Sequence, residues 1–125
     1  MVDGMGRRAI VFLHGCPLRC LFCANPETSR AAACATSSCV SVQQVVDRLK
    51  RLQSYQLDGI TVSGGEPLVQ PQFTAALMRE ARAQLGWTCT LDTSGCSTRA
   101  AVRQEVADTA AQIRAAGVQC ITERL

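Results

Sequence analysis

Apolar positions along the chain alternate between two rhythms. Arg8 to His14 (RAIVFLH) is a short β-branched run stopped by Gly15, which predicts a buried first strand. From Val42 the rhythm changes. Val42, Val45, Val46, Leu49 and Leu52 stand on one helical face, and Ser41 followed by Gln44 is a capping-box pattern at its start. Lys50 and Arg51 fall in the half where a helix dipole favours cations. Gly59 to Ser63 (GITVS) returns to the strand pattern and runs directly into Gly64, Gly65, Glu66 and Pro67. Pro71 suits the first turn of a second helix, in which Phe73, Ala76, Leu77, Ala81 and Leu85 share a face, and Gly86 ends it. Trp87 to Leu91 (WTCTL) predicts a third strand, followed by Asp92, Thr93, Ser94 and Gly95. Thr98 to Ala116 is alanine-rich and helical in pattern, Gly117 is its stop, and Val118 to Thr122 predicts a short fourth strand. Asn25 to Ser38 shows no period and is expected to be a loop.

Strands alternating with helices at this spacing predict an α/β fold with a parallel sheet. Three polar loops, beginning at Gly15, Gly64 and Asp92, then fall at strand C-termini, the edge where such architectures assemble their sites.

Composition narrows the function classes. With 125 residues, 47% of them hydrophobic, the chain can bury one core but hardly two. The net charge of +3 comes from arginines scattered along the chain, so nucleic acid is not an expected partner. The apolar run Ala9 to Leu13 is too short for a membrane span or a leader core, and a soluble cytoplasmic protein without a membrane partner is expected. Eight cysteines would suit a disulfide scaffold in a small secreted domain. Three of them crowd too tightly for independent disulfides, and thiolate ligation of a metal in a reducing compartment is the better account.

Those three are Cys16, Cys20 and Cys23, separated by three and then two residues. A loop of that length can wrap three thiolates around a cubane iron-sulfur cluster and leave the fourth iron open for a substrate. The alternative is structural zinc, which wants a fourth ligand. Phe22, between the last two thiols, is either core filler or a face for a cluster-bound nucleotide. Gly64 and Gly65 permit close backbone approach, and Glu66 adds a carboxylate suited to an ammonium group. On its own, this stretch is also an ordinary turn before a helix.

Taken together, these stretches resemble the activating enzymes of glycyl radical enzymes, within the radical S-adenosylmethionine (SAM) superfamily. The resemblance rests on Val2 to Arg7, on the cysteine loop with Asn25 to Thr28, on Thr61 to Leu68 and on Thr88 to Gly95. It implies the N-terminal portion of a partial (β/α) radical SAM barrel over residues 1–96, with a divergent helical end over 97–125. It implies a 4Fe-4S cluster on Cys16, Cys20 and Cys23, with SAM chelating the open iron. Cys23 would count among the cofactor-binding residues, with Phe22 and Ala24 flanking the adenine and Gly64, Gly65 and Glu66 receiving the methionine end. Asp92 and Thr93 would lie near the SAM carboxylate and a monovalent cation. The implied reaction forms a 5′-deoxyadenosyl radical that takes hydrogen from a glycine of a partner enzyme such as pyruvate formate-lyase, with electrons from a flavodoxin or ferredoxin-type reductant. Two positions depart from the usual pattern: Ala24 stands where many relatives have His, and Met5 where proline is usual. Nothing in the chain matches the later SAM-contacting strands, so the expectation is of a partial chain, inactive alone. Anaerobic ribonucleotide reductase activation is a rival within the same superfamily, disfavoured by Glu66 where that group usually has Asp. A non-catalytic metal-binding module is the rival from another class.

Overall fold

The computed structural model describes residues 4–29, 39–96 and 119–120. Its frame is a sheet of four strands in the order β1-β2-β3-β4, with every neighbouring pair parallel. The strands are β1 (Arg8–Leu13), β2 (Gly59–Gly64), β3 (Thr88–Leu91) and β4 (Gln119–Cys120). Two helices, α1 (Val42–Lys50) and α2 (Pro71–Leu85), form the crossovers from β1 to β2 and from β2 to β3. The predicted helix over residues 98–116 and the proposed division after residue 96 lie outside the described residues.

Local chemistry accounts for the boundaries. The Ser41 hydroxyl accepts from the Gln44 amide while the Gln44 side chain accepts from the Ser41 amide at 2.8 Å, a complete capping box. Pro71 opens α2, where its missing N–H costs nothing, and Gly86 closes it in the left-handed region at φ 69°. Within the predicted loop, Pro26–Ser29 forms one 3-10 turn.

The core lies between one sheet face and the two helices, with Val46, Ile60, Val62, Leu77, Met78 and Leu91 at its centre. Two expectations are corrected here. The first strand is not buried: Ile10 is 39% and Phe12 47% exposed, because β1 is an edge strand whose Ala9, Val11 and Leu13 alone face the core. A continuous apolar run cannot distinguish this from burial on both faces. The buried face of α2 is centred on Thr74, Leu77, Met78 and Ala81, and Phe73 and Leu85 are only partly buried at its margin. Thr74 belongs on that face because its hydroxyl donates to the Pro67 carbonyl at 2.9 Å.

At the N-terminal edge, Arg8 ties three strands together. Its guanidinium donates to the Thr61 and Thr88 hydroxyls and to the Ile60 and Thr88 carbonyls. Desolvation lowers its pKa from the ordinary value, against the raising influence of Cys89 and Asp58. The register aligns Leu13 with Gly64 and Val62 with Leu91, so the three loops that follow leave the sheet side by side.

Candidate iron-sulfur and SAM site

The loop after β1 is held mainly by its backbone. No residue from His14 to Ala24 is buried, the Cys23 amide donates to the Cys20 carbonyl at 3.2 Å, and Arg19 braces the Cys16 and Leu18 carbonyls at 3.1 and 2.9 Å. Cys16 is partly buried, Cys20 and Cys23 are exposed, and all three are free thiols. Phe22 is 84% exposed, which removes the core-filler reading, and Ala24 is exposed beside it.

The loop after β2 lies flat against the first. The Gly65 amide donates to the Leu13 carbonyl at 2.8 Å, the Glu66 amide to the Gly15 carbonyl at 2.7 Å, and the Gly15 amide to the Thr28 carbonyl at 2.8 Å. A Cβ on Gly65 would stand 2.2 Å from the Gly15 oxygen. On Gly64, at φ 115°, it would stand 2.3 Å from the Leu13 nitrogen. Only glycine permits this approach. The three thiols, Gly64, Gly65 and Thr28 line one cavity of about 160 Å³.

The loop after β3 is joined to the second by side chains. Asp92 receives the Ser63 hydroxyl at 2.8 Å, and its own amide donates to the Val62 carbonyl at 3.0 Å. Glu66 is 1% exposed. One of its oxygens accepts from the Leu68 amide at 2.9 Å and the Thr93 hydroxyl at 2.5 Å, the other from the Ser94 amide at 2.8 Å and the Ser94 hydroxyl at 2.6 Å. The carboxylate that the sequence offers to a ligand's ammonium is thus taken up by four donors of the chain. Thr93 is likewise turned inward, and its hydroxyl also accepts from the Gly95 amide at 3.0 Å.

All the residues singled out in the sequence lie at this one sheet edge. Sequence reasoning passed over Ser63, Ser94 and Thr28, whose only signal was being polar neighbours of the motifs. Cys89 stands apart in the core, where burial pushes its thiol pKa up to about 11, while Arg82 and Arg8 pull it down by less. It is a packing thiol.

Among the described residues, no three His, Cys, Asp or Glu side chains are grouped closely enough to hold a metal ion as they stand. The donor set still fits a cluster. Three free thiols line one cavity on a loop without a buried side chain, so drawing their sulfurs together breaks no core contact.

The profile of the 4Fe-4S single cluster domain family matches residues 2–118. This chain belongs to that family. The chain is 41% identical over 98 residues to the pyruvate formate-lyase-activating enzyme of Staphylococcus epidermidis, covering 76% of this chain and 38% of the relative. The enzyme of the same name from Staphylococcus aureus is 43% identical over 100 residues, covering 77% and 39%. A Haemophilus influenzae protein, named provisionally as a glycyl-radical enzyme activating enzyme, is 39% identical over 94 residues, covering 75% and 35%. The resemblance read from the motifs is matched by these relatives, and the chain spans less than two fifths of their length. No helix among the described residues is long and apolar enough to cross a membrane.

Proposed function

We propose that this chain is the cluster- and SAM-binding portion of a radical SAM activase that installs a glycyl radical on a partner enzyme such as pyruvate formate-lyase. One observation carries the reading: the three-thiol loop and the glycine loop line the same cavity, so a ligand on an open iron would lie against bare backbone. Cys16, Cys20 and Cys23 would hold the 4Fe-4S cluster. When bound and reduced, the cluster and SAM together supply one-electron cleavage of the sulfonium and a hydrogen-abstracting radical.

The chain's own residues have other tasks. Gly64 and Gly65 let the glycine loop pack against the cysteine loop and line the cavity that would take the methionine end, and the exposed Phe22 offers an aromatic face for the adenine, beside Ala24. Asp92, held by Ser63, is the carboxylate for a monovalent cation next to Thr93. A flavodoxin or ferredoxin-type reductant in the cytoplasm would deliver the electron. Ribonucleotide reductase activation and a zinc module remain the rivals, with no specific observation in their favour.

The test is anaerobic reconstitution. Iron and sulfide in place of zinc, with a reduced EPR signal that changes on adding SAM, are the expected outcome. Cys20→Ala should lose the cluster, because two thiolates compete poorly with free thiols and oxygen, while Cys39→Ala should keep it. Unchanged iron content in Cys20→Ala would refute the ligand assignment.

A further inference from the structure

Among the described residues, Glu66 is the one buried residue with a charged side chain, and it accepts from four donors of the chain. A carboxylate offers about four acceptor sites, and here four donors occupy them. Two of those donors are backbone amides, Leu68 on one oxygen and Ser94 on the other. An ammonium entering from the cavity would have to displace one of these bonds and expose a side chain that is 1% accessible. Through its backbone, the same residue is tied to the cysteine loop by the amide that donates to Gly15. A single residue therefore joins all three loops.

We propose that Glu66 is a positioning residue: rather than taking a ligand's ammonium, it holds the Thr93–Ser94 turn against the glycine loop, so that both loops present one fixed frame to the methionine end of SAM. This rests on the SAM reading above.

The chemistry makes glutamine a sharp probe. Hydroxyl donors can turn to become acceptors, but amides cannot. Glu66→Gln must point its own NH2 at either the Leu68 or the Ser94 N–H, and one fixed donor loses its partner whichever way the amide is oriented.

The test uses the 125-residue chain in two states. In the cluster-free protein, Glu66→Gln should speed hydrogen exchange at the Ser94 or Leu68 amide by about tenfold or more relative to the amides of β2. In the reconstituted protein, equilibrium dialysis measures binding of SAM and of its analogue lacking the amino group. A positioning role weakens both by the same factor. Loss confined to SAM, or exchange unchanged at both amides, overturns the proposal. If Glu66→Gln does not fold, the pair Thr93→Val and Ser94→Ala removes the hydroxyl donors and leaves the carboxylate. The same equal weakening is then expected, and unchanged affinity for both ligands overturns the proposal. A parent chain that binds no SAM would sink the SAM reading, whereas the exchange experiment would still decide what Glu66 holds.

Discussion

Gly65→Ala tests the contact on which the site geometry depends. Gly65 is not in the left-handed region, so alanine there is strained only by what its Cβ meets, the Gly15 oxygen at 2.2 Å and the Gly15 carbon at 2.8 Å. That oxygen is about 1 Å inside ordinary contact and is backbone, so no flexible side chain can yield. Relief requires the two loops to separate, which strains the bonds from Gly65 to Leu13 and from Glu66 to Gly15. Overpacking costs about 1–3 kcal/mol, and two weakened backbone hydrogen bonds add about 1 kcal/mol each. The expected loss is therefore about 3–5 kcal/mol, and for a domain of this size a fall in Tm of more than about 10 °C. Urea unfolding followed by Trp87 fluorescence reads it, since Trp87 is the only tryptophan and is 8% exposed. Gly86→Ala is the control. Its φ is 69° with nothing within 4 Å of the added Cβ, so it should cost only about 1 kcal/mol. Equal m-values with a loss at Gly65 no larger than at Gly86 would refute the close approach.

Ser41→Ala removes the acceptor for the Gln44 amide and should lower stability by about 1 kcal/mol, read in the same unfolding assay. Cys89 should resist alkylation at pH 8 in the folded chain while Cys20 and Cys23 react, as judged by mass spectrometry of digests. Its thiol is raised to about 11, so the folded chain holds that proton longer than the unfolded one, whose thiol keeps the ordinary value of 9.0. The associated stability is fully present below pH 9 and is lost as pH rises through 11; in Cys89→Ala this part of the pH dependence should vanish.

The fold was legible where local rules and tertiary packing agree. The capping box at Ser41 and the stop at Gly86 are written in neighbouring residues, and both appear as read. The first three β-branched strand runs also survive, trimmed by one residue at His14 and at Trp87 and extended by one at Gly64. The misreadings concern burial. Nothing in RAIVFLH says whether a second layer covers Ile10 and Phe12, because that depends on strand order, which sets β1 at an edge of the sheet. Thr74 breaks the apolar stripe of α2 on paper, yet it is fully buried, since its hydroxyl is satisfied by a carbonyl seven residues earlier.

At the site, the sequence shows which residue types come together, while the contacts they make within the chain depend on partners far along it. Cysteine spacing limits which thiols can meet, and paired glycines mark a close approach, because both constraints act within a few residues. A carboxylate at a motif position says only that something will be bound. Whether that is a ligand or the chain depends on donors brought from elsewhere, and Glu66 finds them at Thr93 and Ser94, 27 and 28 residues away and one strand over. The parallel register is what makes this possible. Aligning Val62 with Leu91 carries the β3 loop past the end of β2, where Ser63 meets Asp92 and Glu66 meets Ser94. The same alignment that gathers three loops into one site thus also supplies the groups that lock them together. Removing one partner of a buried carboxylate leaves it short of a hydrogen bond that water cannot replace, so this lock is more costly to break than the net worth of any one of its bonds.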